Sequence, residues 1–166
     1  MGYKLLIVLV LFLISKSVVG QRYVYVDKSK LSLYVIENSN KDTIATFLVG
    51  IGKKYGDKKK KGDMKTPEGV FTITEIIDSS SWEHDFKDGY GSCKGAYCPY
   101  FIRLKTTPFS GIGIHGTCFP NSIGSRCSEG CIRMRNDDII SLRKLVRVGM
   151  YCVISEDREY LCKNDF

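Results

Sequence analysis

Apolar and polar side chains alternate over most of the chain after residue 21, and this period of two predicts β-strands. The segments RYVYVD (22–27) and KLSLYVIE (30–37) show the alternation of a half-buried strand. The pattern continues at 43–52, 69–77, 100–106 and 150–157, and the glycine-rich run GIGIHG (111–116) is predicted as a further short strand.

One segment has the period of an amphipathic helix instead. Ile139, Leu142 and Val146 fall on one helical face. Asn136 is predicted to cap the start of this helix, and Gly149 is predicted to end it. Many strands with one or two short helices predict a mainly β fold, either a two-sheet sandwich or an open, barrel-like sheet.

The first twenty residues have the three parts of a secretory signal peptide. Lys4 is followed by an uninterrupted apolar run at 5–14, and small residues precede Gln21. Because the apolar run is too short for a spanning helix, a signal peptide at 1–20 and one domain at 21–166 are predicted, with an uncleaved membrane anchor as the alternative. The protein is therefore expected to be exported to the periplasm or cell wall.

Composition is typical of one folded domain. Apolar residues make up 43% of the 166 residues, which is enough for a single core. The formal charge is +7, and much of it comes from KKYGDKKKKG (53–62), which is predicted to be a solvated loop that aids solubility or attracts an anionic surface. An exported chain without a recognition helix is not expected to bind nucleic acid, and the absence of heptads predicts a monomer. The irregular segment 78–99 is predicted to be a lid or binding loop.

Cysteine is unusually frequent for an exported chain of this size. An odd number leaves at least one thiol without an intramolecular partner. Local spacing favours three disulfides and leaves Cys131 free: Cys93–Cys98, Cys118–Cys127 and Cys152–Cys162.

The stretch HGTCFPNSIGSRCSEGCIRM, residues 115–134, carries the candidate chemistry. Cysteine catalysis needs a thiolate, a base that generates it and donors for an oxyanion. His115 can supply the base and Cys131 the nucleophile. Gly130 permits a tight turn that aims the N–H groups of Gly130 and Cys131 at a substrate carbonyl.

A structural zinc site is an alternative for the same stretch. Its ligands would be His115, Cys118, Cys127 and Cys131, whose residue types and spacing suit zinc. Oxidation outside the cytoplasm competes for these thiols, which makes zinc the less favoured interpretation.

The same residues resemble the signature of the L,D-transpeptidase catalytic domain family, of the YkuD type. That signature has His-Gly, a later Gly, and Ser/Thr-x-Gly-Cys followed by an apolar residue and Arg or Asn. Its matches here are His115, Gly116, Gly124, Ser128, Gly130, Cys131, Ile132 and Arg133. The upstream block GDMKTPEGVFTI (62–73) also resembles the family, and the likeness extends over residues 22–156. Glu129 is a departure, since many members have His at this position.

The resemblance implies acyl transfer on peptidoglycan at one end of a β-rich domain. Cys131 would attack the carbonyl between the third and fourth residues of a stem tetrapeptide and release the terminal D-alanine. Passage of the acyl group to another stem's side-chain amine would give a 3→3 cross-link. Water as acceptor would make an L,D-carboxypeptidase, and a protein amine would anchor an envelope protein. A non-catalytic wall-binding module is the alternative from another class.

Each candidate residue has an expected role in this scheme. His115 takes the thiol proton, and the resulting ion pair is expected to be the reactive form. The Gly116 carbonyl is expected to orient the imidazole. Ser128 is expected to contact substrate, to bond His115 or to shape the turn, and Arg133 to grip a substrate carboxylate or to form a structural salt bridge. His84, the other histidine and a rival base, lies in SWEHDF, far along the sequence from the turn, and is expected to be a solvated or substrate-contacting loop residue.

The implied partners are peptidoglycan stem peptides, with a peripheral association with the cell envelope. Acyl transfer by a thiol requires no cofactor and no metal.

Overall fold

A curled eight-stranded sheet frames the computed structural model, which describes residues 22–86 and 91–156. The strands in chain order are β1 (Arg22–Asp27), β2 (Ser32–Glu37), β3 (Thr43–Leu48), β4 (Ile51–Gly52), β5 (Gly69–Asp78), β6 (Glu83–Asp85), β7 (Ser92–Lys94), β8 (Tyr100–Leu104), β9 (Gly113–His115), β10 (Arg126–Ser128), β11 (Ile132–Arg133) and β12 (Tyr151–Ser155). The large sheet has the order β11-β9-β8-β5-β12-β1-β2-β3, and β4 with β10 and β6 with β7 form two small sheets. The prediction of a mainly β fold is confirmed.

Strand pairing explains where the candidate residues meet. Strand β11 lies parallel to β9, with Arg133 opposite His115. Strand β4 lies parallel to β10, and a bridge between Gly50 and Arg133 ties this small sheet to the edge of the large one. The end of β9 and the turn between β10 and β11 are therefore neighbours at one end of the sheet.

The core fills the concave side of the sheet and is covered by helix α1 (Asn136–Leu145). Its buried side chains come from most strands of the large sheet and from the helix: Val24, Val26, Leu33, Val35, Ile73, Ile102, Ile114, Ile132, Ile139, Leu142 and Ile154. Complete burial of large aliphatic side chains stabilises the fold by about 1.5–3 kcal/mol each. The predicted apolar face of the helix is confirmed, since Ile139, Leu142 and Val146 are all buried.

The predicted cap of this helix is wrong. Helix α1 begins at Asn136, and Arg135 occupies the cap position without a capping side-chain bond. The Asn136 side chain instead accepts a hydrogen bond from the backbone N–H of Thr117, at 2.9 Å. It therefore secures the loop that follows β9. The helix ends at Leu145, before the predicted stop at Gly149.

The segment predicted as an irregular lid contains the β6–β7 hairpin, which pairs His84 with Cys93. A disulfide joins Cys93 to Cys118, in the loop after β9. The predicted pairs Cys93–Cys98 and Cys118–Cys127 are therefore wrong, and Cys98 and Cys127 are free. The hairpin carries Cys93 across to the neighbouring loop, a tertiary contact that spacing along the chain does not reveal.

Two further predictions fall partly or wholly outside the described residues. Cys152 is a free, buried thiol, and its predicted partner Cys162 is not among the described residues. The predicted signal peptide at 1–20 also lies outside them. Within 22–86 and 91–156, no helix has the length and apolar character needed to cross a bilayer.

Candidate active site

His115 stands at the end of β9 with its imidazole held by the backbone. It is only 2% exposed, and its Nδ1 atom lies 2.6 Å from the carbonyl oxygen of Gly116. Because a carbonyl oxygen only accepts hydrogen bonds, Nδ1 carries the proton and Nε2 is left as the basic nitrogen. A Cβ at Gly116 would lie 1.7 Å from the Cys98 carbonyl oxygen, so only glycine fits here.

The surroundings of His115 keep its imidazole neutral. The pKa of His115 is lowered to about 3, chiefly by burial and to a smaller extent by the positive charges of Arg133 and His84. The hydrogen bond to Gly116 offsets part of this change. The edge of the Tyr97 ring contributes to the enclosure, with its centroid 4.7 Å from that of the imidazole.

Cys131 lines the same cavity as His115, a space of about 250 Å³. Its thiol donates a hydrogen bond to the carbonyl oxygen of Gly111, with 3.3 Å between Sγ and O. Burial raises the pKa of the Cys131 thiol, and a backbone hydrogen bond from Gly113 and the charge of Arg133 only partly oppose this. Burial thus disfavours both charges of the ion pair that is predicted as the reactive form, and it favours a neutral thiol beside a neutral imidazole at rest.

The turn before Cys131 is shaped by Ser128. Its buried hydroxyl donates to the Cys131 carbonyl oxygen and accepts from the Gly130 N–H, at 3.1 Å. These two bonds agree with a turn-shaping role for Ser128 and use the one proton that its hydroxyl can donate.

The predicted oxyanion role of Gly130 does not fit this conformation, because its N–H is already bonded to Ser128. The Cys131 N–H is the remaining donor of the predicted pair. Gly130 itself has a φ of 140°, and a Cβ there would lie 2.8 Å from the carbonyl oxygen of Lys65. Glycine is therefore required at this position by both backbone conformation and space.

Arg133 is a buried cation that lines the cavity and has no acidic partner in the described part of the chain. Arg133 is 6% exposed, and its guanidinium lies over the ring of Phe86, 4.8 Å from the ring centroid. Among the described residues Arg133 forms no salt bridge, and its Nε atom has no hydrogen-bond partner. A buried guanidinium in this state favours an anionic ligand, because an unpaired buried charge is costly.

His84 lies beside the turn although the two are far apart in sequence, and it belongs to strand β6 rather than to a loop. The hairpin brings its Nε2 atom to 3.5 Å from Oε2 of Glu129, and both residues line the cavity. The ring packs edge-on against Phe86 and Tyr97, with centroids 4.6 and 5.7 Å away. Sequence reasoning missed the pair because it depends on contacts between distant segments.

The lysine-rich segment supplies the facing wall, and it is not wholly solvated as predicted. Lys58 is 5% exposed and lies 2.7 Å from an Asp63 carboxylate oxygen. Burial would raise the pKa of Asp63, but the bond from Lys58 and the N–H groups of the loop hold it well below its usual range. The charge of Lys58 is therefore balanced by Asp63, and this ion pair fixes the lysine in the cavity wall.

The residues of the zinc alternative do not form a metal site here. Cys118 is bonded to Cys93 and is no longer a thiolate ligand. In the described part of the chain, no group of three or more His, Cys, Asp or Glu side chains is placed to hold a metal ion.

Comparison with known proteins gives a consistent result. The family model for the L,D-transpeptidase catalytic domain (YkuD) matches residues 21–154. The Bacillus subtilis protein named L,D-transpeptidase YqjB is 32% identical over 127 residues, which cover 75% of this chain and 72% of YqjB. The Bacillus licheniformis protein named L,D-transpeptidase YkuD is 42% identical over 106 residues, 64% of this chain but only half of that protein.

A solved structure supports the same fold. The catalytic domain of the E. faecium L,D-transpeptidase superposes with a TM-score of 0.59 at 17% identity. The match covers 82% of this chain and 98% of that domain.

Proposed function

Because this chain belongs to the L,D-transpeptidase catalytic domain family, we propose that it cross-links peptidoglycan by acyl transfer through a thioester at Cys131. One observation carries the proposal. A thiol, an imidazole whose Nδ1 is held by a backbone carbonyl and a guanidinium without an acidic partner among the described residues line one cavity of about 250 Å³. These are a nucleophile, a base and an anion-binding group, which are the parts that acyl transfer on an acidic peptide requires.

The first half of the reaction forms the acyl-enzyme. The Cys131 thiol gives its proton to Nε2 of His115 as the sulfur attacks the carbonyl before the terminal D-alanine of a stem tetrapeptide. The Cys131 N–H binds the developing oxyanion. The His115 imidazolium then donates its proton to the leaving amine of D-alanine, and a thioester remains.

The neutral resting pair fits this sequence of steps. Proton transfer from Cys131 to His115 occurs only as the sulfur–carbon bond forms, so no buried ion pair has to be maintained in the free enzyme. The Gly116 carbonyl fixes the imidazole orientation throughout and accepts the stronger hydrogen bond of the imidazolium. Arg133 binds a carboxylate of the donor stem.

The second half transfers the acyl group to the side-chain amine of another stem and gives a 3→3 cross-link. The place of action follows from the substrate, which lies in the cell envelope. A leader at 1–20 would deliver the protein to the periplasm or cell wall, where it would act as a monomer on the polymer surface.

The test uses the purified protein with disaccharide-tetrapeptide muropeptides of more than one stem type, analysed by mass spectrometry beside Cys131→Ala. Dimers that lack one D-alanine, formed only by the wild type, are the expected product. Tripeptide monomers alone would mean that water is the acceptor and that the protein is an L,D-carboxypeptidase. No reaction of correctly folded protein would instead favour a wall-binding module.

A further inference from the structure

One rim of the cavity holds a carboxylate and an imidazole that the first half of the reaction does not use. The side chains of Glu129 and His84 are 43% and 31% exposed to solvent, whereas the whole of His115 is only 2% exposed. A molecule that arrives from solvent can therefore reach this pair directly. Glu129 also precedes Cys131 by only two residues, so the pair lies at the entrance to the thioester.

We propose that Glu129 and His84 form the acceptor subsite, which binds the side-chain ammonium of the incoming stem and removes its first proton. The inference rests on the proposed function and specifies a part of it. It assigns the class of acceptor, a primary alkyl ammonium. Glu129 and His84 would bind this acceptor, whereas Arg133 would bind the donor stem.

The geometry of the pair suits a bridging cation. His84 Nε2 and Glu129 Oε2 are 3.5 Å apart, too far for a good hydrogen bond to each other. An ammonium nitrogen at ~2.9 Å from both atoms completes a triangle with ordinary hydrogen-bond lengths. Phe86 and Tyr97 hold the imidazole edge-on, so its position does not depend on Glu129 alone.

Phe86 contacts both Arg133 and His84. The Arg133 guanidinium lies over the Phe86 ring, and the His84 ring packs against Phe86 with an angle of 71° between the two planes. The guanidinium attracts the donor carboxylate, and the carboxylate of Glu129 attracts the acceptor ammonium. The two stems are therefore directed to different parts of one cavity, and an ammonium bound beside Arg133 would be repelled.

The proton balance of aminolysis calls for two acceptors. The ammonium gives one proton to Nε2 of His84, and the neutral amine attacks the thioester carbonyl. The new N–C bond forms as the C–S bond breaks, and His115 carries the second proton from nitrogen to sulfur, which restores the Cys131 thiol. His84 then releases its proton to water.

The decisive variant is Glu129→Gln, which keeps the shape of the side chain and removes its charge. The acyl-enzyme is offered either a stem peptide with a cationic side-chain amine or hydroxylamine, which carries no charge at neutral pH. Transfer is measured relative to hydrolysis for each nucleophile. We expect the ratio for the cationic amine to fall about tenfold or more, and the ratio for hydroxylamine to stay unchanged. Glu83→Gln is the matched control, because Glu83 lies on the same hairpin with a side chain 47% exposed and does not line the cavity.

A second variant tests the imidazole. His84→Gln is expected to lower aminolysis at neutral pH, where the acceptor arrives as an ammonium, and to lose its effect above about pH 10, where the amine has no extra proton to give, while hydroxylamine transfer is again unaffected. Equal loss with both nucleophiles in either variant would mean that the pair only supports the hairpin, and wild-type ratios in both variants would equally overturn the proposal. Failure of the proposed function would appear separately, as the absence of any thioester mass on wild-type Cys131.

Discussion

The imidazole of His115 stacks on the ring of Phe101, with centroids 5.5 Å apart and planes 11° apart. The stacked ring on one face and Tyr97 at the edge exclude water from a residue that must accept a proton during catalysis. This enclosure explains how a histidine can act as a base without being protonated in the resting enzyme.

Stability should therefore depend on pH through His115. Its pKa is about 3 in the folded protein and about 6.5 when unfolded, so the unfolded state binds more protons between these values. The free energy of unfolding should fall as pH decreases from about 6.5, by up to about 1.4 kcal/mol per pH unit. Urea unfolding of wild type and His115→Gln at several pH values measures this, and parallel pH profiles would contradict it.

The thiol of Cys131 should be slow to alkylate at neutral pH in the absence of substrate. Burial raises its pKa, so the thiolate fraction should still be increasing above about pH 8.5, where an ordinary thiol is half ionised. Iodoacetamide labelling followed by peptide mapping separates Cys131 from the other free cysteines, and Cys131→Ser identifies its peptide. A rate that levels off below pH 7 would show an activated thiolate instead.

Removing the hydroxyl of Ser128 should loosen the catalytic turn. Ser128→Ala leaves the buried Gly130 N–H and the Cys131 carbonyl without their partner, at a cost of about 1–3 kcal/mol. Ser128→Thr keeps the hydroxyl and should keep most of the stability. Thermal unfolding of the two variants compares them directly, and an unchanged midpoint for the alanine variant would argue against the role of this bond.

Arg133 should matter for the donor rather than for the fold. Because its guanidinium has no acidic partner among the described residues, Arg133→Gln should lower kcat/KM for the tetrapeptide donor by roughly 10–100-fold. Arg133→Lys retains the charge and should lose less. Arg22→Gln is a control at an ion pair on β1, and steady-state kinetics would show whether its effect equals that of Arg133→Gln.

The disulfide should hold the hairpin to the loop after His115. Cys93→Ser with Cys118→Ser should lower the free energy of unfolding by about 2–4 kcal/mol, since the bond closes a loop of 25 residues. Non-reducing peptide mapping of the wild type should recover Cys93 joined to Cys118. Recovery of Cys93 joined to Cys98 would contradict the structure.

Local pattern was sufficient to predict the strands, because alternation marks a strand wherever one face is buried. His115 and Cys131 stand out in the sequence by residue type, and the structure brings both to one cavity. The predicted cap at Asn136 was wrong because this residue begins the helix itself and its side chain accepts a bond from Thr117, 19 residues earlier in the sequence.

The finer features of the site depend on tertiary contacts. The disulfide partner of Cys93 depends on where the hairpin folds. The protonation states depend on enclosure by Phe101 and Tyr97, which no spacing along the chain encodes.

The position of β12 in the sheet has a consequence for the order in which the protein folds. Strand β12 lies between β1 and β5. It therefore joins one half of the sheet (β1, β2 and β3) to the other half (β5, β8, β9 and β11), which includes His115 and Arg133. Among the described strands of this sheet, β12 alone pairs with a strand from each half. Completion of the sheet depends on contacts that are distant in sequence, such as Val24 with Cys152, and such contacts slow folding. The catalytic residues are thus expected to reach their final positions late, after nearly the whole domain has been synthesised.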